Sequence, residues 1–316
     1  MNALANRRVL VTGGAGFLGR QVCDQLQAYH PGAVLVPRKA EYDLTEQTAI
    51  RRMLDDFRPE VIIHLAAVVG GIGANRENPG RFFYENAVMG ILLMEEARRR
   101  QVRKFVTVGT ICSYPKHTAV PFREEDLWNG YPEETNAPYG IAKKAILVQG
   151  QAYRQQYGFD VIHLIPVNLY GPGDNFDPSS SHVIPALIKK CVDARESGAG
   201  YIDVWGTGSA SREFLYVEDV GRAITFCLQN VHAADVPDGL LNVGCGEDLT
   251  IRELAGIVQR TVGYEGDLTW DATRPDGTPR KLMDVGRITS LGWRPEVGLE
   301  EGIRRTYDWY LDHEGS

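Results

Sequence analysis

No run of apolar residues in this 316-residue chain approaches the ~20 that a bilayer-spanning helix needs. The first residues, Met1-Asn2-Ala3-Leu4-Ala5-Asn6-Arg7, lack the charged-then-apolar layout of a secretory leader. Cysteine is scarce: five residues, at 23, 112, 191, 227 and 245, with no C-x-x-C pair among them. An odd, scattered set excludes a disulfide framework and a cysteine-based zinc site, and it points to a reducing, cytoplasmic setting. No metal is expected. Neither sign of charge is in large excess, with 34 Lys and Arg against 41 Asp and Glu for a net charge of −7. Because the two signs are interspersed, neither nucleic acid nor an anionic membrane is an expected partner. Internal repeats, low-complexity tracts and long linkers are also missing.

What is present begins with a loop suited to phosphate. The apolar run Arg8-Val9-Leu10-Val11-Thr12 leads directly into Gly13-Gly14-Ala15-Gly16-Phe17-Leu18-Gly19, whose glycines 13, 16 and 19 have G-x-x-G-x-x-G spacing. Bare backbone at these positions permits a tight turn, close approach of a pyrophosphate, and close packing of the next helix on the strand. A periodic segment from Gln21 to Tyr29 follows, so the loop lies between a predicted strand and a predicted helix, the context that gives the triplet meaning. The next strand-like run ends in Ala33-Val34-Leu35-Val36-Pro37-Arg38-Lys39. An NAD site places a carboxylate here for the ribose hydroxyls, whereas a 2′-phosphate asks for arginine. No acid stands at this strand end and Arg38 does, which favours NADP (bound as NADPH or NADP) over NAD. Asp43 and Leu44 follow closely enough to lie along the adenine edge.

Further apolar runs, Val61-Ile62-Ile63-His64-Leu65, Lys104-Phe105-Val106-Thr107-Val108 and Val161-Ile162-His163-Leu164-Ile165, alternate with amphipathic segments at Ala49 to Phe57, Ala87 to Arg100 and Tyr139 to Tyr157. This alternation predicts an α/β fold, a Rossmann-like doubly wound parallel sheet with its ligand at the strand carboxyl ends. After Gly171 comes a turn-rich loop to Ser181, then a helical pattern from Val183 to Arg195, a strand and hairpin over 200–215, and helical patterns over Val217 to Leu228 and Ile251 to Val262. The expected division is a dinucleotide-binding domain at 1–170, with a returning segment at about 213–235, and a smaller, interleaved α/β substrate domain within 171–316.

The most informative side chains lie on three segments. Tyr139 and Lys143, in Tyr139-Gly140-Ile141-Ala142-Lys143, stand four apart and share one helix face. A lysine ammonium beside a phenol favours the phenolate, so the pair predicts a tyrosine of lowered pKa able to act as acid or base. Cys112 and His182 form a second candidate acid/base pair, which hydride chemistry alone does not need. Together the two pairs point to an enzyme that moves protons at carbon and also reduces a carbonyl.

The glycine loop with Tyr-x-x-x-Lys resembles the extended short-chain dehydrogenase/reductases acting on nucleotide sugars. Within them, the chain resembles the GDP-L-fucose synthases, which are 3,5-epimerase/4-reductases of GDP-4-keto-6-deoxy-mannose. The stretches that carry the resemblance are His64-Leu65-Ala66-Ala67-Val68-Val69-Gly70-Gly71-Ile72, Cys112 with Tyr114-Pro115, and Glu134-Thr135-Asn136-Ala137-Pro138-Tyr139. They continue with Asn168-Leu169-Tyr170-Gly171-Pro172, Ser181-His182-Val183-Ile184-Pro185-Ala186-Leu187, Trp205-Gly206-Thr207-Gly208, Arg212-Glu213-Phe214 and Pro275-Asp276-Gly277-Thr278-Pro279-Arg280-Lys281. These cover nearly the whole chain in order.

The resemblance implies that Cys112 and His182 exchange protons at C3 and C5, both acidified by the C4 ketone. It implies that Tyr139 protonates the C4 oxygen during reduction, that Thr110 donates a hydrogen bond to that oxygen, and that Lys143 bonds the nicotinamide ribose. Leu65, Ala66, Ala67, Pro166, Asn168, Leu169 and His182 are the further positions implied to touch the cofactor. Asn168, Lys190, Trp205, Arg212 and Lys281 are those implied to touch the sugar nucleotide. Lys190 takes the place of a family arginine, keeping the charge but losing the bidentate fork. The family's Gly-Ser-Ser-Cys-Ile-Tyr-Pro reads Gly109-Thr110-Ile111-Cys112-Ser113-Tyr114-Pro115, which adds a methyl at Thr110 and removes a hydroxyl at Ile111. Phe122 to Tyr131 is distinctive as well.

The expected sugar is a 6-deoxy sugar, with a GDP-linked heptose as the alternative. The alternatives are a reductase or epimerase doing half of the reaction, an NAD-dependent nucleotide-sugar 4-epimerase, and a redox-sensing module without catalysis. A homodimer is expected, with helices spanning Ala87 to Arg100 and Tyr139 to Tyr157 meeting their twins.

Overall fold

The central strands are apolar on both faces, and the sheet they build is covered on both. The computed structural model describes residues 2–70, 72–177, 180–274 and 276–313, so Gly71 and Pro275 of the motifs above lie outside the described residues. The first half of the chain runs β1 (Arg8–Thr12), α1 (Phe17–Gln27), β2 (Ala33–Leu35), α2 (Gln47–Phe57), β3 (Val61–His64), α3 (Ile72–Glu77), α4 (Pro79–Arg99), β4 (Lys104–Val108), α5 (Ala137–Tyr157) and β5 (Asp160–Pro166). It continues with β6 (Asn168–Tyr170), α6 (Val183–Ser197), β7 (Tyr201–Trp205), β8 (Ser211–Arg212), β9 (Phe214–Tyr216), α7 (Val217–Asn230) and β10 (Leu240–Val243). Last come β11 (Leu249–Thr250), α8 (Ile251–Val262), β12 (Asp267–Asp271), β13 (Arg280–Lys281), α9 (Gly286–Ser290) and α10 (Leu299–His313).

Six strands form a sheet in the order β10-β5-β4-β3-β1-β2, every neighbouring pair parallel. Side chains alternate across it. Val9, Val11, Ile63, Val106 and Ile162 pack with Val22 and Leu26 of α1 and with Val220 and Ile224 of α7. Leu10, Ile62, Phe105 and Val161 pack with Met53 of α2, Leu93 of α4 and Ile146 of α5. Double-sided burial is why these strands read as continuous apolar runs, and each such side chain contributes roughly 1.5–3 kcal/mol. The chain passes from β1 outward to β2 and then crosses back to place β3 on the other side of β1. The crevice at that reversal, beyond the strand carboxyl ends, is where an open α/β sheet binds its ligand.

A second apolar cluster brings together Ile184, Leu187 and Ile188 of α6, Ile202 and Val204 of β7, Leu254 and Val258 of α8, and Ile303 and Tyr307 of α10. The hairpin expected over 200–215 does not form. Instead β7 pairs in parallel with β12, β8 pairs with β11 and β13, and β9 pairs in parallel with β6. Gly206 and Gly208, at φ +83° and +78°, turn the chain away from β7 rather than back along it. The alternation in Tyr201–Trp205 specified a face, and a pattern of faces does not name a partner strand.

One level of the main sheet is polar. Thr12, His64, Thr107 and His163 are lateral neighbours across β1, β3, β4 and β5, all on the side covered by α4 and α5, and all buried. Thr12 Oγ1 and His64 Nδ1 are 2.8 Å apart. Burial, reinforced by Lys143, holds both imidazoles down at a pKa of about 3, so both are neutral.

Candidate active site

A cleft of about 970 Å³ opens where β1, β2, β3, β4 and β5 end, and each strand delivers its following residues into it. After β1 comes the glycine loop. Gly13 has φ +72°, and a Cβ there would sit 2.7 Å from Ala66 N. A Cβ on Gly19 would lie 2.1 Å from Gly13 O. These contacts let the loop fold under the first turn of α1 while pressing against the end of β3. No side chain caps α1 and its first turn carries no acid, so its amino-terminal N–H groups remain free for an anion.

After β2, Arg38 and Lys39 differ in what they do. Lys39 stands 3.8 Å from both Asp43 and Glu85. Arg38 is exposed, and among the described residues its guanidinium has no ion pair. Asp43, held well below the usual carboxylate range by hydrogen bonds from Thr45, lines the cleft with Leu44.

After β4 the chain makes one tight turn, Ile111–Ser113, in which Cys112 N–H donates to Thr110 Oγ at 3.2 Å. That bond occupies an acceptor lone pair and leaves the Thr110 hydroxyl hydrogen free to point into the cleft. Ile111 is buried with Tyr114, Phe122 and Leu127, so its apolar body feeds the core as well as bordering the cleft. The Cys112 turn is pinned to α5: Ser113 Oγ donates to Gly140 O at 3.1 Å, and a Cβ on Gly140 would meet Cys112 O at 2.7 Å. Glycine between Tyr139 and Ile141 thus lets the tyrosine and the cysteine approach from different segments. Lys143 is buried, with Nζ 5.8 Å from the Tyr139 ring centroid.

The pair does not behave as its spacing alone predicted. Burial pushes the Tyr139 phenol up, and Cys112 pushes it further, while burial pulls the Lys143 ammonium down to about 8. Desolvation penalises the charged form of both groups and is the largest influence on each. Tyr139 is accordingly a protonated phenol at neutral pH, a proton donor first, and Lys143 is still mostly a cation.

After β5, Pro166, Asn168 and Leu169 reach the cleft, and His182 enters from the loop before α6. Asn168 Nδ2 donates to Glu213 O at 2.8 Å, and its Oδ1 accepts no hydrogen bond among the described residues. Asp174 lies beside His182, Oδ1 to Nδ1 3.9 Å, and its carboxylate raises the imidazole pKa against the opposing effect of burial. Arg212 and Trp205 close the far side. Arg212 donates to Ser211 O at 2.7 Å and to Asp276 O at 3.2 Å, and burial lowers its pKa while the Asp276 carboxylate opposes this. Trp205 is 61% exposed, with the Arg274 guanidinium 4.9 Å from its ring centroid.

The cleft thus collects Gly13, Gly16, Phe17, Leu18, Gly19, Arg38, Asp43, Leu44, Leu65, Ala66, Ala67, Thr110, Cys112, Tyr139, Lys143, Pro166, Asn168, Leu169, His182, Trp205 and Arg212. Two expected residues do not line it. Lys190 donates to Asp203 O at 2.7 Å and stands over the Trp205 ring. Lys281, beside Arg212 in register on β13, lines a small adjoining depression with Cys112 and Asn136. The sequence did not single out Asp174 or Asp276. Asp276 accepts from Thr207 N at 2.7 Å and borders the cleft; its place in the stretch ending at Lys281 was the available signal for it, and a carboxylate in the turn-rich loop after Gly171 was that for Asp174. Among the described residues no helix is long and apolar enough to cross a membrane, and no group of three or more His, Cys, Asp or Glu is placed to hold a metal ion.

Residues 9–244 match the model of the NAD dependent epimerase/dehydratase family. The chain is 42% identical to GDP-L-fucose synthase 1 of Arabidopsis thaliana over 96% of its own length and 93% of that protein. It is 41% identical to the GDP-L-fucose synthase of Sinorhizobium fredii, covering 99% and 98%. Among solved structures, a GDP-mannoheptose C4 reductase from Campylobacter jejuni with NADP bound matches with a TM-score of 0.89 and 29% identity, over 97% of this chain and 98% of that one.

Proposed function

The chain belongs to the NAD dependent epimerase/dehydratase family, among its GDP-L-fucose synthases, and on that premise we propose that it converts GDP-4-keto-6-deoxy-mannose to GDP-L-fucose, or makes a closely related GDP-sugar, with NADPH. The observation that carries this reading is one cleft lined by the glycine loop, by Tyr139 and Lys143, and by Cys112 and His182.

NADPH fits the cofactor end. Gly13 and Gly19 leave room that a Cβ would fill, the uncapped start of α1 suits the pyrophosphate, and Arg38, with no ion pair among the described residues, suits a 2′-phosphate. Bound there, NADPH supplies hydride to the C4 carbonyl. Tyr139 gives its phenolic proton to the C4 oxygen, Thr110 donates a hydrogen bond to the same atom, and the Lys143 cation steadies the phenolate that Tyr139 becomes. Before reduction, the C4 ketone acidifies the hydrogens at C3 and C5. His182, whose imidazolium Asp174 favours, is the acid of the exchange in this reading, and Cys112 is the base. Arg212 faces the diphosphate, and Asn168 offers Oδ1 to the sugar.

Residues 1–170 with about 213–235 form the cofactor-binding part in this reading, and 171–316 mainly the sugar-nucleotide part. Five free cysteines suit a reducing cytoplasm. Exposed Phe83, Tyr84, Ile91 and Val148 on α4 and α5 suit a homodimer built through those helices. C4 reduction alone, on a GDP-heptose, is the second reading. The likeness to a GDP-mannoheptose C4 reductase favours it, and Cys112 and His182 in the same cleft argue for the fuller reaction.

Cofactor choice gives a direct check. On addition of GDP-4-keto-6-deoxy-mannose the protein is expected to oxidise NADPH faster than NADH. Arg38→Ala is expected to raise KM for NADPH about 10–100-fold, the weight of a charged hydrogen bond, while barely changing KM for NADH. Equal KM changes for the two cofactors, read from the fall in absorbance at the nicotinamide band, would remove Arg38 from the site.

A further inference from the structure

His182 is the N-cap of the 15-residue helix α6, with extended backbone at φ −77° and ψ 172°. That is an unfavourable place for a cation, because the aligned peptide dipoles put partial positive charge at a helix start. The Asp174 carboxylate lies beside this imidazole. Its Oδ1 accepts from Asn175 N at 2.8 Å and stands 3.9 Å from His182 Nδ1. Asp174 is buried, whereas the His182 side chain is 65% exposed at the cleft. Asp174 Oδ2 is buried too, and it has no hydrogen-bond partner among the described residues. A half-satisfied buried carboxylate costs folding free energy unless a positive charge stands next to it. The turn that carries it, Gly171 to Asn175, is set by Gly171 and Gly173 at φ +152° and +81°.

We propose that Asp174 is the positioning residue of His182: it takes the Nδ1–H, turns Nε2 toward the sugar, and supplies the counter-charge for the imidazolium. A modest rotation of the imidazole shortens 3.9 Å to a hydrogen bond, as catalytic contacts commonly tighten when substrate binds. In the acid step the Nε2 proton passes to the carbanionic carbon of the enolate, whose electron pair forms the new C–H bond. Neutral imidazole remains, and Asp174 favours its reprotonation from water, which reaches the exposed ring. The other ionisable groups lining the cleft are Cys112, Tyr139, Lys143, Arg212 and Asp276, with Arg38, Lys39, Tyr42, Asp43 and Glu85 beyond β2 and on α4. The carboxylate in contact with His182 is Asp174. This inference rests on the proposed reaction for its role, while the contact is testable without substrate.

The test is an NMR titration of the His182 ring, its signals assigned by their loss in His182→Gln, in wild type and Asp174→Asn. The His182 midpoint is expected to fall by about one pH unit or more in Asp174→Asn, the weight of a lost opposite charge. Deuterium exchange into GDP-4-keto-6-deoxy-mannose at pH 7 is expected to fall at least about tenfold, its optimum moving to lower pH and KM changing little, with partial recovery in Asp174→Glu. An unmoved midpoint would overturn the proposal, and so would loss of exchange without a change in titration. If Asp174→Asn fails to fold, a wild-type midpoint at or below about 6.5, the unperturbed value, overturns it equally. Absence of exchange in the wild type would defeat the reaction assigned above and leave the titration result standing.

Discussion

Tyr139→Phe is expected to slow NADPH-dependent reduction by about 10²–10⁴-fold, the usual weight of a positioned general acid, while NADP still binds and C–H exchange at C3 and C5 persists. Phenylalanine keeps the ring and its place above Lys143 and deletes only the proton that the C4 oxygen must receive. Cys112 and His182 come from other segments, so their exchange of protons with the sugar does not depend on the phenol. The pH dependence follows from burial. The phenol is raised, so it holds its proton across the neutral range, and the ammonium of Lys143 is lowered to about 8. Reduction is therefore expected to decline above about pH 8 as Lys143 loses its charge, whereas the pH profile of the exchange follows His182 and Cys112 and is not set by Lys143. Stopped-flow reduction rates beside deuterium uptake measure both. Equal loss of both activities in Tyr139→Phe would mean that the tyrosine shapes the whole cleft.

Gly19→Ala is expected to abolish detectable NADP binding at concentrations that saturate the wild type. The added methyl would lie 2.1 Å from Gly13 O, 2.5 Å from Gly14 Cα and 2.7 Å from Gly14 C. All three are backbone atoms, which cannot swing aside as a side chain can. Helix α1 must then lift from β1, taking its free N–H groups away from the pyrophosphate. Gly158→Ala is the matched control. It has open space around it, although its φ of +65° carries the ordinary strain of a left-handed position. Calorimetric titration with NADP separates the outcomes, because a folded Gly19→Ala with unchanged affinity would show that this contact does not shape the cofactor site.

Much of this was legible in the chain because it rests on local rules. Periodicity marked β1, β3, β4 and β5, and the glycine spacing marked the turn before α1. The absence of an acid after β2 pointed to Arg38, which has no ion pair among the described residues, whereas Lys39 is engaged by Asp43 and Glu85. What escaped depends on tertiary surroundings. The acidity of Tyr139 is set by desolvation, which spacing along a helix does not report. The pairing of β7 with β12 joins segments more than 60 residues apart, and alternation in one strand cannot choose between partners. Asp174 and His182 were both visible, but eight positions of loop hid that they meet. Lys190 was expected at the diphosphate, and the fold instead turns its ammonium to Asp203 O and the Trp205 ring.

The most direct test of the central claim is incubation with GDP-4-keto-6-deoxy-mannose and NADPH in deuterated water, followed by NMR of the product. The account predicts NADPH consumption with deuterium at both C3 and C5 and the L-fuco configuration. Reduction with protium retained at both carbons would contradict it and reduce the protein to a C4 ketoreductase, with Cys112 and His182 outside the chemistry.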